Sequence, residues 1–179
     1  YYHWTIDCLP RLAGIRRYEE ETGVEPTILL PDNPPSWMVE SLEMLQVEKS
    51  RLHQLSNPCH VDNLVVTTYP GPTPAECEWL RNQMLSALEG GSRYDESLPD
   101  RIFISRKDAT RRRIKNDEEV QRVLQLFGFV EYELSNLSVR EQIKLFANAE
   151  VIVSPHGAGL ANIIYSTSAS VIELFGETK

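Results

Sequence analysis

The chain has little that would let a metal, a disulfide framework or a membrane account for it. Its three cysteines, Cys8, Cys59 and Cys77, are odd in number and far apart, and no Cys-x-x-Cys pair exists. Free thiols in a reducing compartment are the expectation. Cys59 lies beside His60, but nothing near them in sequence supplies the further ligands of a zinc site. No Asp-x-Asp occurs and no His/Cys set has metal spacing. The expectation is therefore no metal and no cofactor. No apolar run approaches the roughly 20 residues that cross a bilayer, and no stretch reads as a signal peptide. Positive charge is also short: 18 Lys and Arg face 26 Asp and Glu, for a net charge of −8. That excludes nucleic acid as the main partner, because binding a polyanion needs a basic face. There is no tandem repeat and no low-complexity segment.

What is present is an ordinary globular composition, 41% hydrophobic and 25% charged over 179 residues. Such a chain can build a real core and carries no disorder signal. Its length suits one large domain or two small lobes. It starts at Tyr1 without methionine and stops at Lys179 just after a strand-like run. A fragment truncated at both ends is the expectation.

Periodicity places the elements. Residues 1–22 read as helix, with Trp4, Leu9, Leu12 and Ile15 on one side and Pro10 as a kink. Thr27 to Leu30 reads as a strand, Ser36 to Leu45 as a helix and Val61 to Thr68 as a second strand. Thr73 or Pro74 opens a helix running to about Leu88. Gly90-Gly91-Ser92 breaks it and divides a lobe over 1–92 from one over 93–179. In the second half Arg101 to Ser105 is a strand. Asn116 and Glu119 have the spacing of a capping box, followed by Val120, Val123, Leu124 and Phe127 at helical intervals and by Gly128 as the stop. Phe129 to Leu134 is the next strand. Ser138 with Glu141 forms another capping box, which explains Asn136-Leu137-Ser138 without a glycan. Ile143, Phe146 and Ala147 make the buried stripe of that helix. Val151 to Ser154 and Val171 to Phe175 are two further strands. Strands alternating with helices mean an α/β fold with parallel sheets. The order from Arg101 onward is that of a Rossmann-like half, and the part before Gly90 is α/β but shorter.

Ligands of open parallel sheets bind outside the carboxyl ends of the strands. Two loops there are chemically distinctive. After Ser105 come Arg106, Lys107, Arg111, Arg112, Arg113 and Lys115; with Arg101, seven of the eighteen basic residues fall between 101 and 115, against the single acid Asp108. Guanidinium forks suit phosphate oxygens, although a solvated basic loop would look the same. The second loop, Pro155-His156-Gly157-Ala158-Gly159-Leu160, joins a strand to a helix. Backbone N–H groups and the positive end of a helix dipole would meet there; packing glycines in a tight turn are the other reading. It is not the dinucleotide fingerprint, which needs GxGxxG after the first strand. His156 could donate to a phosphate, and Glu173 could accept from ribose hydroxyls or be an ordinary edge carboxylate. His3 and Asp7, four apart, share a helix face, as an oriented base or as a surface pair.

The stretch Arg101 to Arg106 with Ala109 and Arg112, then Asn116, Glu119 and Val120, then Glu141, Gln142 and Phe146, then 155–160 with Asn162, resembles glycosyltransferase family 61. Val171-Ile172-Glu173 fits as well. The opening Tyr2-His3-Trp4 with Asp7, Leu9, Pro10 and Arg11 is similar to that family's N-terminal signature. The resemblance is to its capsular polysaccharide biosynthesis-type members. It implies a GT-B-like fold of two Rossmann-like lobes and an inverting, metal-independent hexosyl- or pentosyltransferase using a nucleotide-sugar donor. Arg106 and Arg112 become diphosphate ligands, His156, Gly157, Ala158 and Gly159 the phosphate loop, and Ser105, Asn162 and Glu173 further donor contacts. His3 or Asp7 becomes the base, in the first lobe. The implied partners are the donor and a glycan or other hydroxyl acceptor. The implied setting is the cytoplasm, with peripheral association at the inner face of the membrane through a lipid-linked acceptor. Two other classes stand beside this one: a nucleotide-dependent oxidoreductase or epimerase, and a non-catalytic sugar-nucleotide-binding module.

Overall fold

Apolar strand runs and capped helices build two separate hydrophobic cores. The computed structural model describes residues 1–68, 71–88, 95–109 and 113–176. These fall into two units, one of His3–Ala87 and one of Tyr1, Tyr2 and the residues from Leu88 onward. The expected break at Gly90-Gly91-Ser92 lies outside the described residues.

The first unit opens with a continuous helical run whose winding changes along its length. It is a π-turn over Trp4–Cys8, a 3₁₀ turn over Leu9–Arg11 and then an α-helix, α1, over Leu12–Thr22. Pro10 lies in the 3₁₀ turn, so the expected kink takes the form of a change of helix type. Gly23, with φ of 70°, ends α1 and donates its N–H to the Glu19 carbonyl. Strand β1 (Ile28–Pro31) pairs in parallel with β2 (Leu52–Leu55), Ile28 opposite Leu52. Between them runs helix α2 (Ser36–Met44). Helix α3 (Pro74–Ser86) starts at Thr73, whose hydroxyl and Glu76 form a complete capping box. Leu9, Leu12, Leu30, Leu42, Leu45, Leu80 and Met84 are all buried in this unit.

One expected strand does not form. Residues 61–68 form no strand, with a bend at 62–63, and Leu64 and Val66 are 66% and 70% exposed. A strand needs a neighbour to satisfy its backbone. Here the Thr67 carbonyl instead accepts from the Arg11 guanidinium at 3.2 Å. Gly14 lets α1 approach this segment, since a Cβ there would lie 2.8 Å from Thr67 Cγ2.

The second unit holds a four-stranded, wholly parallel sheet: β3 (Arg101–Ile104), β4 (Val130–Tyr132), β5 (Val151–Pro155) and β6 (Ser170–Leu174). Their spatial order is β4-β3-β5-β6. Helix α4 (Asp117–Leu126) lies between β3 and β4, and α5 (Val139–Asn148) between β4 and β5. This is the α/β class with parallel sheets that the alternation implied. Ile102, Phe103, Ile104, Ile152 and Val153 of the strands and Ile143, Leu145 and Phe146 of α5 are all buried. Ala147 is only half-buried, and the inward positions of α5 are Leu145 and Asn148 instead. The Asn148 amide explains its place: it accepts from the Asp95 N–H and donates to the Leu98 carbonyl, tying down the approach to β3.

The two expected capping boxes of this unit differ. Ser138 accepts from the Glu141 N–H, and the Glu141 carboxylate accepts from the Ser138 N–H at 2.8 Å. Asn116 forms no such cap; its amide donates to the Glu119 carboxylate at 3.1 Å, and its backbone (φ −106°, ψ 43°) is not the extended conformation of a capping residue.

The segment after β5 is helical from Ala158 to Tyr165, but as a 3₁₀ helix. Three residues per turn stack side chains in columns at intervals of three. Ala161 with Ile164, and Asn162 with Tyr165, form two buried columns, while Leu160 and Ile163 form the outward one. Tertiary bonds hold this long 3₁₀ run in place. The buried Asn162 amide donates to Gln142 Oε1 and accepts from the Tyr1 hydroxyl at 2.7 Å. Burial, with Tyr1 nearby, pushes the Tyr165 phenol well above its ordinary pKa.

Candidate functional site

The order of the second sheet creates a crevice. From β3 the chain moves outward to β4, then returns to the other side of β3 for β5 and moves on to β6. The connections leaving β3 and β5 therefore diverge, which is where ligands bind in open α/β sheets. Three neighbouring strand ends deliver side chains there: Arg106 after β3, His156 and Gly157 after β5, and Glu173 and Phe175 around the end of β6.

Arg106 and Gly157 are in close approach. A Cβ added at Gly157 would stand 2.8 Å from Arg106 Cζ, so the guanidinium occupies the space of the missing side chain. Gly157 has φ 172° and ψ 175°, an extended conformation open to any residue, so glycine's role here is space and not backbone freedom. The first bond of the 3₁₀ helix runs from the Leu160 N–H to the Gly157 carbonyl. The N–H groups of Ala158 and Gly159 precede it, at the end of a helix where anions are favoured. Gly159 serves packing as well: a Cβ there would lie 2.8 Å from Leu134 Cδ1. The packing reading of the loop thus applies to Gly159.

His156 is fixed from β6. Its N–H donates to the Leu174 carbonyl at 2.9 Å. Its Nδ1 lies 2.6 Å from Glu173 Oε1. A carboxylate oxygen there can accept from Nδ1–H. Phe175 stacks on the ring at 5.3 Å between centroids and 22° between planes. His156 and Phe175 line a cleft of about 560 Å³ together with Arg113, Lys115, Asn116 and Val120.

The basic run divides by task. Arg101, at the opposite end of β3, donates to the Phe127 carbonyl. Lys107 Nζ meets Glu131 at 2.7 Å and Asp117 at 3.3 Å, and these bonds, Glu131 first, raise its pKa. It is neutralised by its own unit. Arg113 donates to the Lys107 carbonyl and lines the cleft. Lys115 lines the cleft as well. Arg111 and Arg112 lie outside the described residues.

Other expected donor contacts sit elsewhere. Ser105 is buried, with its hydroxyl accepting from the Lys107 N–H at 3.2 Å, and so shapes the turn that launches Arg106. Asn162 is 0% exposed, with its amide engaged by Gln142 and Tyr1. Glu173 faces His156. In the first unit His3 Nδ1 lies 2.6 Å from Asp7 Oδ2, the His3 side chain being 87% exposed and that of Asp7 34%. The Trp4 indole donates to Ser41 Oγ at 2.8 Å and meets Trp37 edge-on, which anchors the helical run that carries the pair.

Sequence reasoning missed the His156–Glu173 pair and the part played by Phe175. Parallel register sets Ser154 opposite Glu173 and Pro155 opposite Leu174, and that pairing has no signal in the residues themselves.

Among curated proteins none matches the chain. A family model described as Glycosyltransferase 61 matches residues 1–172, nearly its whole length and both units. The chain belongs to glycosyltransferase family 61.

Proposed function

We propose that this protein is an inverting, metal-independent transferase of GT-B architecture that moves a hexosyl or pentosyl group from a nucleoside-diphosphate donor to a hydroxyl acceptor. The observation that carries this reading is the Arg106 guanidinium resting on Gly157 at the divergence of β3 and β5, beside two N–H groups at a helix start. Fixed donors of this kind stabilise charge that develops on a leaving diphosphate. Lys115 and Arg113 add positive charge to the cleft that His156 also lines.

The acceptor hydroxyl gives its proton to a base and attacks the anomeric carbon from the face opposite the diphosphate. The bond from that carbon to the phosphate oxygen breaks, and its electron pair stays with the diphosphate. His3 is our candidate base. Its Nδ1 lies 2.6 Å from Asp7 Oδ2, a contact that orients the ring. We place the reaction in surface or capsular polysaccharide synthesis, in the cytoplasm, with a lipid-linked acceptor drawing the enzyme to the inner face of the membrane.

The test is a panel of UDP- and GDP-sugars. Binding read by calorimetry, with release of nucleoside diphosphate on adding an acceptor and in the presence of EDTA, is expected for at least one donor. His3→Ala and Asp7→Ala are expected to abolish turnover and leave donor affinity within about twofold. Donor binding without turnover by any acceptor would favour a non-catalytic module. Turnover that EDTA abolishes would overturn metal independence.

A further inference from the structure

Glu173 reads most simply as a ribose ligand, one acidic side chain at a strand end beside a nucleotide site. The contacts around it say otherwise. Its Oε1 is engaged with His156 Nδ1 at 2.6 Å. His156 and Phe175, its partner and that partner's stacking ring, line the cleft. We propose that Glu173 is a positioning residue that acts through His156, and that the imidazole Nε2, not the carboxylate, meets the donor's diphosphate. This rests on the reading of the cleft as the diphosphate site.

Three contacts from β6 hold His156, and each removes a different freedom. The bond from its N–H to the Leu174 carbonyl fixes the backbone. The Glu173 carboxylate fixes the rotation of the ring and which nitrogen bears the proton. The stack on Phe175 fixes the plane. With Nδ1 occupied, Nε2 is the ring nitrogen left for a ligand, and the side chain is 52% exposed to receive one. When Nε2 carries a proton it can donate to a phosphate oxygen, with Glu173 Oε1 held on the other side of the ring. The β6 end thus sets the chemistry of the β5 loop without touching the nucleotide.

The test has two arms. In ligand-free, ¹⁵N-labelled protein, long-range ¹H–¹⁵N spectra are expected to show His156 protonated at Nδ1, with that preference lost in Glu173→Ala. In the second arm, UDP and GDP are titrated into the wild type, His156→Ala, Glu173→Ala and the double variant. Each single change is expected to weaken binding by about tenfold or more. The double variant is expected to bind as His156→Ala does, within about twofold, because one residue acts through the other. Glu173→Gln, whose amide oxygen can accept the same bond, keeps most of the affinity and serves if the alanine variant folds poorly. A further tenfold loss from Glu173→Ala in the His156→Ala background would overturn the proposal. So would an effect of Glu173→Ala that disappears with 2′-deoxy nucleotides, the mark of a carboxylate on the ribose. If the wild type binds neither nucleotide, the diphosphate reading of the cleft fails. The ring spectrum then decides the positioning role by itself, and Nδ1 protonation that persists in Glu173→Ala refutes it.

Discussion

Replacing Gly157 by alanine separates the binding role of this loop from its structural role. The extended backbone at Gly157 accepts any residue, so the substitution carries no conformational penalty. Its methyl would stand 2.8 Å from Arg106 Cζ and 3.5 Å from Nε, inside the guanidinium's space. The far end of an arginine is flexible and half-exposed, so it swings away. Stability should change by less than about 0.5 kcal/mol, a shift in Tm of about 1–2 °C. Affinity should respond differently. Hydrogen bonds to charged groups are worth about 1.5–3 kcal/mol, so losing the guanidinium from a diphosphate costs roughly 10- to 100-fold. Calorimetry with UDP and GDP reads the affinity, and thermal unfolding reads the fold. Arg106→Gln should give a loss of similar size, and combining it with Gly157→Ala should add little. Undiminished diphosphate affinity in Gly157→Ala would refute the reasoning, as would a fall in Tm of many degrees.

Gly159→Ala should behave in the opposite way: its Cβ meets Leu134 Cδ1 at 2.8 Å, so overpacking costs about 1–3 kcal/mol in urea unfolding while diphosphate affinity holds. Lys107→Ala should leave diphosphate affinity within about twofold, because Glu131 and Asp117 already hold the ammonium; the partly exposed pairs are worth about 1 kcal/mol or less after solvent screening. Ser138→Ala should cost about 1 kcal/mol by losing its cap, and Asn116→Ala far less, which chemical denaturation of both variants would show. The Ser138 hydroxyl and N–H lower the Glu141 pKa from its ordinary 4.5. A carboxylate depressed in the folded state stabilises above its unfolded value and loses that contribution as pH falls through the folded one. The difference in stability between wild type and Ser138→Ala should therefore be full above about pH 5 and shrink on acidification; an undiminished difference at pH 2 would count against the capping box.

Local chemistry was legible in the residues, and long-range pairing was not. The apolar runs at 101–104 and 151–155 became central strands because both faces of a parallel sheet are covered. Ser138 and Glu141 announced their helix because both partners lie within one turn. Asn116 and Glu119 have the same spacing, yet the backbone entering α4 is turned away from the capping geometry. Strand β2, Leu52-His53-Gln54-Leu55, carries no apolar run; its register with β1 alone makes it a strand. Val61 to Thr68 has the opposite character, strand-like residues without a neighbour. At the site, Arg106 and the glycine loop could be named from the sequence, since strand ends in parallel sheets gather on one edge. What could not be named was which partner each side chain would take: Glu131 for Lys107, Gln142 for Asn162 and His156 for Glu173. Those pairings follow from register and crossover, which no single segment encodes.

The threefold winding of Ala158–Tyr165 limits how this family can vary in length. Each residue turns the helix by about 120°, so one inserted residue would carry the Leu160 and Ile163 column into the core and swing Asn162 and Tyr165 out to solvent, and one deleted residue would swing out Ala161 and Ile164 instead. An α-helix spreads such a slip over about 100° per residue and a broader apolar face; here nothing intermediate exists. Indels between β5 and β6 should therefore be confined to the turn at 166–169, and the span from His156 to Tyr165 should keep one fixed count of residues wherever this loop still serves a ligand.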